Sequence, residues 1–341
     1  MTYQSIIVRE KMEWDAYVKR SRDYEVYHTW YYHTLNRLGE PLLFVYEESG
    51  FFIAFPMLKR SIANSSFYDL TSVYGYAGPV SDCDFSSITV LSLQHFKEAF
   101  CRFLTDERCI CVFTRLYPFL SQECVLDYIG GVSPNGSTIY MDLSMTIEEQ
   151  HSRYHKRLKR QVKKLREAGY TIKDSCSPEE ITLFTEMYHR NMDRLNASKS
   201  YYFDEAYFTG LLNQKEFNNR LILIYDGTEL ICGAVILISG KVIRNHLSAT
   251  SEKYLNESPS KLLTDEISMI GRRLGKKFFH LGGGVGGKED SLFEFKRHFS
   301  DLQIADRIWC YINDRQAYDE LVLQRVPEIY SESAFFPAYR Q

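Results

Sequence analysis

Five of the six residues from Gly282 to Gly287 are glycine, a density that no helix or strand interior accepts cheaply. The apolar run Phe278, Phe279 and Leu281 just before them reads as a buried strand, with His280 among it. Glu289 and Asp290 just after suit a helix start, and Leu292, Phe293, Phe295 and Phe299 follow, with Lys296, Arg297 and His298 near the end. A strand, a glycine loop and a charged helix bring backbone N–H groups close to a ligand, so the stretch predicts an α/β protein with a site here. Two nucleotide motifs nearly fit. Gly282, Gly284 and Gly287 satisfy the G-x-G-x-x-G dinucleotide pattern, and Gly282, Gly287 and Lys288 begin a P-loop. The P-loop fails at Glu289, which stands where a Mg²⁺-binding hydroxyl belongs. The dinucleotide fold fails because too little chain follows to build a sheet onward. A glycine turn without a ligand is the bland reading of the same residues.

At 341 residues the chain is long enough for two cores. A formal charge of −3 with 25% charged residues excludes a polycation for DNA and a disordered acidic chain. Aromatic residues make up 15%, which suits packed cores and a site for rings. Cys109 and Cys111 are one residue too close for a C-x-x-C pair, and no Cys/His grouping has zinc spacing. No metal and no tightly bound cofactor is therefore expected. Mostly apolar surroundings for the cysteines point to a reducing compartment. The N-terminus lacks a signal-type apolar region and no run approaches membrane-spanning length, which together predict a cytoplasmic protein.

The order of elements is doubled. In the first half, strands at 42–47 and 51–59 flank the turn residues Glu48, Ser49 and Gly50, and a helix at 88–104 precedes a strand at 110–116. The stretch 125–143 alternates enough for one or two further strands. From Glu148 to Ala168 the pattern is an uninterrupted helix with eight cations between Arg153 and Arg166 and an apolar stripe of Tyr154, Leu158, Val162 and Leu165. These cations either face water or meet phosphates. In the second half, strands at 220–225, 229–238 and 241–250 precede a helix at 260–274 and the strand at 278–281. Each helix after a third strand must cross over, making the flanking strands parallel. The expectation is an α/β chain of two domains, 1–145 and 146–341, each a mixed, mostly antiparallel sheet flanked by helices.

This order resembles the GNAT acyltransferase fold, and the doubled version with a basic helix opening the second half resembles the FemABX-like branch of peptidyltransferases and acetyltransferase-like relatives. The residues that carry the resemblance are Asp69–Pro79, the helix Arg153–Gly169, Ser258–Lys261 and Leu292–Phe299. The resemblance implies acyl or aminoacyl transfer, from a thioester or an aminoacyl-tRNA, to an amine. It places the lysine of the late-helix Phe-Lys pair, here Lys296, at the active site as a stabiliser of developing negative charge. It also implies backbone donors where the third and fourth strands splay apart, and here those strands hold His246 and His280. Ordinary GNAT enzymes cradle the CoA pyrophosphate with a Q/R-x-x-G-x-G/A loop, whereas Tyr254–Lys261 here contains no glycine.

His246 shares a strand face with Arg244 and Ser248 and is a candidate general base; a hydrogen-bonded core histidine is the alternative. His280 is a second candidate for that role. Ser258, Ser260 as helix cap and Lys261, with Gly282, Gly283, Gly284, Gly286 and Gly287, are the candidate donor-binding residues. Lys59 and Arg60, ending a strand, and Tyr74 and Tyr76 are candidates for the acceptor, as phosphate anchors and stacking rings; edge charges and core packing are the alternatives. The functional expectation is an N-acyltransferase using acyl-CoA on an amine of a phosphate-bearing cell-envelope sugar or peptide precursor. An aminoacyl-tRNA-dependent peptidyltransferase and a non-catalytic binder of a phosphorylated ligand are the alternatives.

Overall fold

The computed structural model describes residues 3–35, 38–325 and 335–341. In chain order the elements begin with β1 (Gln4–Val8), α1 (Lys11–Arg20), α2 (Trp30–Leu35), β2 (Glu40–Glu48), β3 (Phe51–Ser61), β4 (Tyr68–Thr71) and β5 (Val80–Ser81). Then come α3 (Val90–Asp106), β6 (Cys109–Arg115), α4 (Glu123–Ile129), β7 (Val132–Asp142), α5 (Ile147–Arg153), α6 (Lys156–Glu167) and β8 (Thr171–Asp174). The remainder is α7 (Pro178–Arg194), α8 (Glu205–Asn213), β9 (Arg220–Asp226), β10 (Glu229–Ser239), β11 (Val242–Thr250), α9 (Ser260–Arg273), β12 (Phe278–Gly282), α10 (Ser291–Arg297), β13 (Gln303–Ile312) and α11 (Arg315–Arg325).

Two compact units result: residues 1–135 with 305–341, and residues 136–304. They are not the sequential halves 1–145 and 146–341. Each unit's sheet takes in one strand from elsewhere in the chain, β13 in the first and β7 in the second, and in the first β5 pairs with β3 off the main path. In the first unit the order is β1-β2-β3-β4-β6-β13, with β13 antiparallel to β6. In the second it is β7-β12-β11-β10-β9-β8, with β7 antiparallel to β12. The two crossovers form as expected, since α3 links the parallel pair β4–β6 and α9 links the parallel pair β11–β12.

Local chemistry explains most of the elements. Ser49 (φ 51°) and Gly50 (φ 88°) form a two-residue turn with both φ positive, the geometry that suits the twist of the β2–β3 hairpin. Of the stretch 125–143, residues 132–142 form strand β7 as expected, while 123–129 form helix α4, because Val125, Leu126 and Ile129 make one buried helical stripe. The basic helix is broken at Tyr154, whose ψ of 138° is extended. The Tyr154 hydroxyl donates to the fully buried Asp265 (2.8 Å), and the His155 N–H donates to the His298 carbonyl (2.9 Å). These two bonds outweigh helix continuity. Past the break, α6 buries Leu158, Val162 and Leu165 against α9 and the sheet.

The second unit's sheet is covered on both faces. On one, α6 and α9 bury Leu158, Leu262, Leu263 and Ile267 against Ile222, Ile236, Ile243 and Phe279. On the other, α7 lies close: a side chain at Gly233 would meet the Phe184 ring at 2.9 Å.

Candidate active site at the parting of two strands

Strands β11 and β12 pair only through Val242–Phe278, Ile243–Phe279 and Arg244–His280. Beyond that point β11 continues to Thr250 with β10 alone. The sheet therefore opens a notch at Arg244 and His280, on the side where α9 begins. The ladder to β10 is irregular at the same place: Val235 faces Leu247 and Ile236 faces Asn245, so His246 is the extra residue of a β-bulge. A bulge re-aims its side chain, and Nε2 of His246 lies 2.9 Å from the Tyr207 hydroxyl on α8. Simple alternation would give Arg244, His246 and Ser248 equivalent surroundings. Instead Arg244 is buried, His246 half-buried and Ser248 exposed. Burial, with the Arg244 cation nearby, pushes the His246 pKa down to about 3. The imidazole is neutral at physiological pH and a weak base. His280 is fully buried, its Nε2 2.9 Å from the Thr138 hydroxyl on β7.

After β12 the glycine loop turns into α10. Glycine is required at 284, where a Cβ would lie 1.9 Å from the Lys288 carbonyl oxygen. It is required also at Gly136 on β7, whose Cβ would lie 2.2 Å from the Gly287 carbonyl oxygen. The loop is fastened at both ends. The Asp290 carboxylate accepts from the N–H groups of Val285 and Phe293, each at 2.9 Å. Burial alone would raise the Asp290 pKa, but these backbone donors hold it below the usual carboxylate range. The Lys296 ammonium donates to the Gly283 carbonyl, near the end of β12.

The N-terminus of α9 meets the start of α6 and the end of α10. The rings of His155 and His298 lie 5.1 Å apart, and Arg157 and Lys261 stand beside them. Burial and then Arg157 lower the Lys261 pKa, while burial, His155 and Lys261 lower that of His298. Two cationic side chains, Arg157 and Lys261, and the two imidazoles meet at one helix N-terminus, an arrangement of charge and N–H donors that an anion satisfies. Ser260 does not cap α9 as expected: it is the first helical residue, Pro259 holds the cap position, and no side-chain cap bond forms. Ser258, at φ 55°, donates instead to the Leu255 carbonyl (3.1 Å).

The four acceptor candidates lie in the first unit, in structural settings. The Lys59 ammonium pairs with Glu107 at 2.5 Å and sits over the Tyr68 ring, and Arg60 pairs with the fully buried Asp69 at 2.6 Å. These partners are distant in sequence, so the strand-end position alone did not reveal them. Tyr76 is buried under the Arg115 guanidinium (4.5 Å), and the Tyr74 carbonyl accepts from the Tyr32 hydroxyl (2.9 Å). Tyr207, Thr138 and His155 join the second unit's constellation without having been singled out as candidates, while Arg157 is one of the basic-helix cations read as facing water or meeting phosphates. Among the described residues there is no acidic, histidine or cysteine group able to hold a metal, and no helix long and apolar enough to cross a membrane.

Residues 152–297 match the family model of the acetyltransferase (GNAT) domain. The chain carries a GNAT acyltransferase domain. That span holds the notch, the glycine loop, His155, Arg157 and Lys261, with His298 one residue beyond it. No curated protein matches the sequence. Among solved structures, FemX is similar at 13% identity and a TM-score of 0.72, over 94% of this chain and 99% of that one. L-PGS from Bacillus licheniformis is similar at 13% identity and a TM-score of 0.56, over 93% and 95%. A tandem GNAT protein from the clavulanic acid biosynthesis pathway is similar at 8% and 0.52, over 92% and 99%. At these identities the likeness is one of fold: a doubled GNAT architecture of the FemX kind.

Proposed function

We propose that the second unit of this GNAT acyltransferase takes an acyl group from acyl-CoA and passes it to an amine of a cell-envelope sugar or peptide precursor in the cytoplasm. The observation that carries the reading is the crowding of His155, Arg157, Lys261 and His298 at the start of α9, beside the point where β11 and β12 part. The cluster suits the donor's phosphates, and the notch suits its acyl-thioester end. The amine nitrogen attacks the thioester carbonyl, a C–N bond forms, the C–S bond breaks, and the thiolate leaves with the proton that the amine gives up. Backbone groups of β11 beyond Arg244, with the Lys296 cation near the end of β12, face the developing oxyanion. The weak basicity of His246 argues that the amine enters as the free base. His246 then serves to orient the Tyr207 hydroxyl, and His280 to fix the strand at the notch. The glycine loop, held by Asp290 and Lys296, forms a wall of the same site. Lys59, Arg60, Tyr74 and Tyr76 support the first unit's structure, and the acceptor's binding groups lie elsewhere.

Thermal-shift titration with acetyl-CoA, longer acyl-CoAs and free CoA tests the donor. Saturable stabilisation by CoA itself, increased by an acyl group, is expected. The absence of a shift with every CoA species sinks this reading and leaves aminoacyl-tRNA, whose terminal phosphates present similar chemistry, as the donor to examine.

A further inference from the structure

The outer face of α6 has no role in the site described above. Lys156, Lys159, Arg160, Lys163 and Lys164 are all exposed and fall within about 140° of the helix circumference, opposite the buried stripe Leu158, Val162 and Leu165. Lys163 pairs loosely with Glu167 at 3.9 Å, while Lys156, Lys159, Arg160 and Lys164 have no acidic partner among the described residues. The helix spans about 18 Å, so these charges form a dense, straight row. Elsewhere the balance is reversed: the chain totals −3 and residues 153–167 carry +7, which leaves −10 for the remainder.

We infer that this face docks the protein onto an anionic lipid surface. Clusters of four to eight Lys and Arg on one helix face are attracted to the headgroups of acidic lipids, and each cation adds to the affinity. The apolar stripe is consumed by the protein's own core, so α6 rides on the headgroups rather than inserting between chains. The negative remainder of the chain disfavours other orientations, so contact through this one face is selected. RNA fits less well. Residues 156–167 contain no aromatic side chain on which an unpaired base would stack, and a charge of −10 elsewhere opposes a wrapped polyanion. The inference holds whatever the acyl donor.

The test is co-sedimentation of the full chain with vesicles rich in phosphatidylglycerol, against vesicles of phosphatidylcholine alone, at low salt and at about 0.5 M salt. Binding to the anionic vesicles only, abolished by the higher salt, is expected. The variant K159E/R160E/K163E/K164E should bind about a hundredfold more weakly or worse. The milder K159Q/R160Q/K163Q/K164Q should fall between it and the parent, with an unchanged melting temperature showing that the fold survives. No sedimentation with anionic vesicles at low salt overturns the inference, as does equal binding by the glutamine variant. Tight, α6-dependent binding of duplex RNA without vesicle binding also overturns it and makes RNA the partner.

Discussion

Replacing Lys261 by methionine should stabilise the free protein and weaken its hold on the donor. The two effects have one cause. Lys261 stands half-buried beside Arg157 and His298, and its basicity is lowered first by burial and then by the Arg157 charge. Methionine keeps most of the length and apolar stem of lysine and removes the charge. Two charges 4 Å apart interact by about 1 kcal/mol in water and about 4 kcal/mol at the effective dielectric of a protein surface. Partial exposure of Lys261 favours the lower end, so about 1–2 kcal/mol of attraction to a donor phosphate is lost. That corresponds to a CoA dissociation constant about five- to thirtyfold higher. Relief of repulsion in the free protein should raise its stability by about 0.5–1 kcal/mol. Calorimetric titration with CoA gives the first quantity and chemical denaturation the second. A Lys261→Met protein that is less stable and binds CoA as before would refute the assignment, because lysine would then be a structural residue and not part of an anion site.

Three other outcomes are expected. Gly284→Ala should disrupt the glycine loop, since its Cβ would meet the Lys288 carbonyl oxygen at 1.9 Å and the Asp290 carboxylate at 2.5 Å, whereas Gly286→Ala, with open space but φ at 61°, should cost only about 1 kcal/mol; comparing their melting temperatures and turnover checks this. His33 is fully buried with its pKa lowered to about 4, mainly by desolvation, so its contribution is complete above pH 6.5 and is lost as pH falls towards 4, amounting to about 3 kcal/mol that urea titrations of the parent and His33→Gln proteins across that window should detect. Arg340→Ala should destabilise the first unit by about 3 kcal/mol, because fully buried Asp69 accepts from Arg60, Arg340 and Tyr339, and loss of Arg340 leaves a buried carboxylate short of a partner; an unchanged melting temperature would contradict this.

The sequence made legible what depends on near neighbours. The hairpin at Ser49-Gly50, the strand before Gly282 and the crossover helices follow from periodicity and turn chemistry. What escaped depends on distant partners. The extra residue at His246 comes from a shift of register between β10 and β11, and alternation within β11 does not reveal it. The break at Tyr154 needs Asp265, more than a hundred residues away, to receive its hydroxyl. The placement of β7 and β13 had no local cue either, since each joins strands that the chain builds elsewhere. In the candidate site, the family resemblance pointed to Lys296, and the residues of the basic helix and of the start of α9 suggested phosphate binding. The meeting of His155, Arg157, Lys261 and His298 was not legible, because these residues come from three separate helix ends.

The doubled fold poses the question of why the first unit shows no comparable site, and the pairing of its strands answers it. Its equivalents of β11 and β12 are β4 and β6, which pair from Tyr68–Cys109 to Thr71–Phe113. Where β11 and β12 would part, the first unit keeps bonding: the Ser72 N–H donates to the Phe113 carbonyl (3.0 Å) and the Ala77 N–H to the Arg115 carbonyl (2.8 Å). The chain at Ser72 and at Ala77 thus stays bonded to the end of β6 where β11 and β12 have already parted. The matching crossover helix α3 begins with a Thr89 side chain accepting from the Ser92 N–H (3.2 Å) and exposes Val90 and Leu91. Neither feature suits a phosphate, since the helix start is already capped and its surroundings are apolar. A chain that closes its notch with its own backbone gains the hydrogen bonds that an open notch forgoes. The closed pairing of the first unit fits the supporting role proposed for it, and the parting of β11 and β12 fits the transfer site proposed in the second.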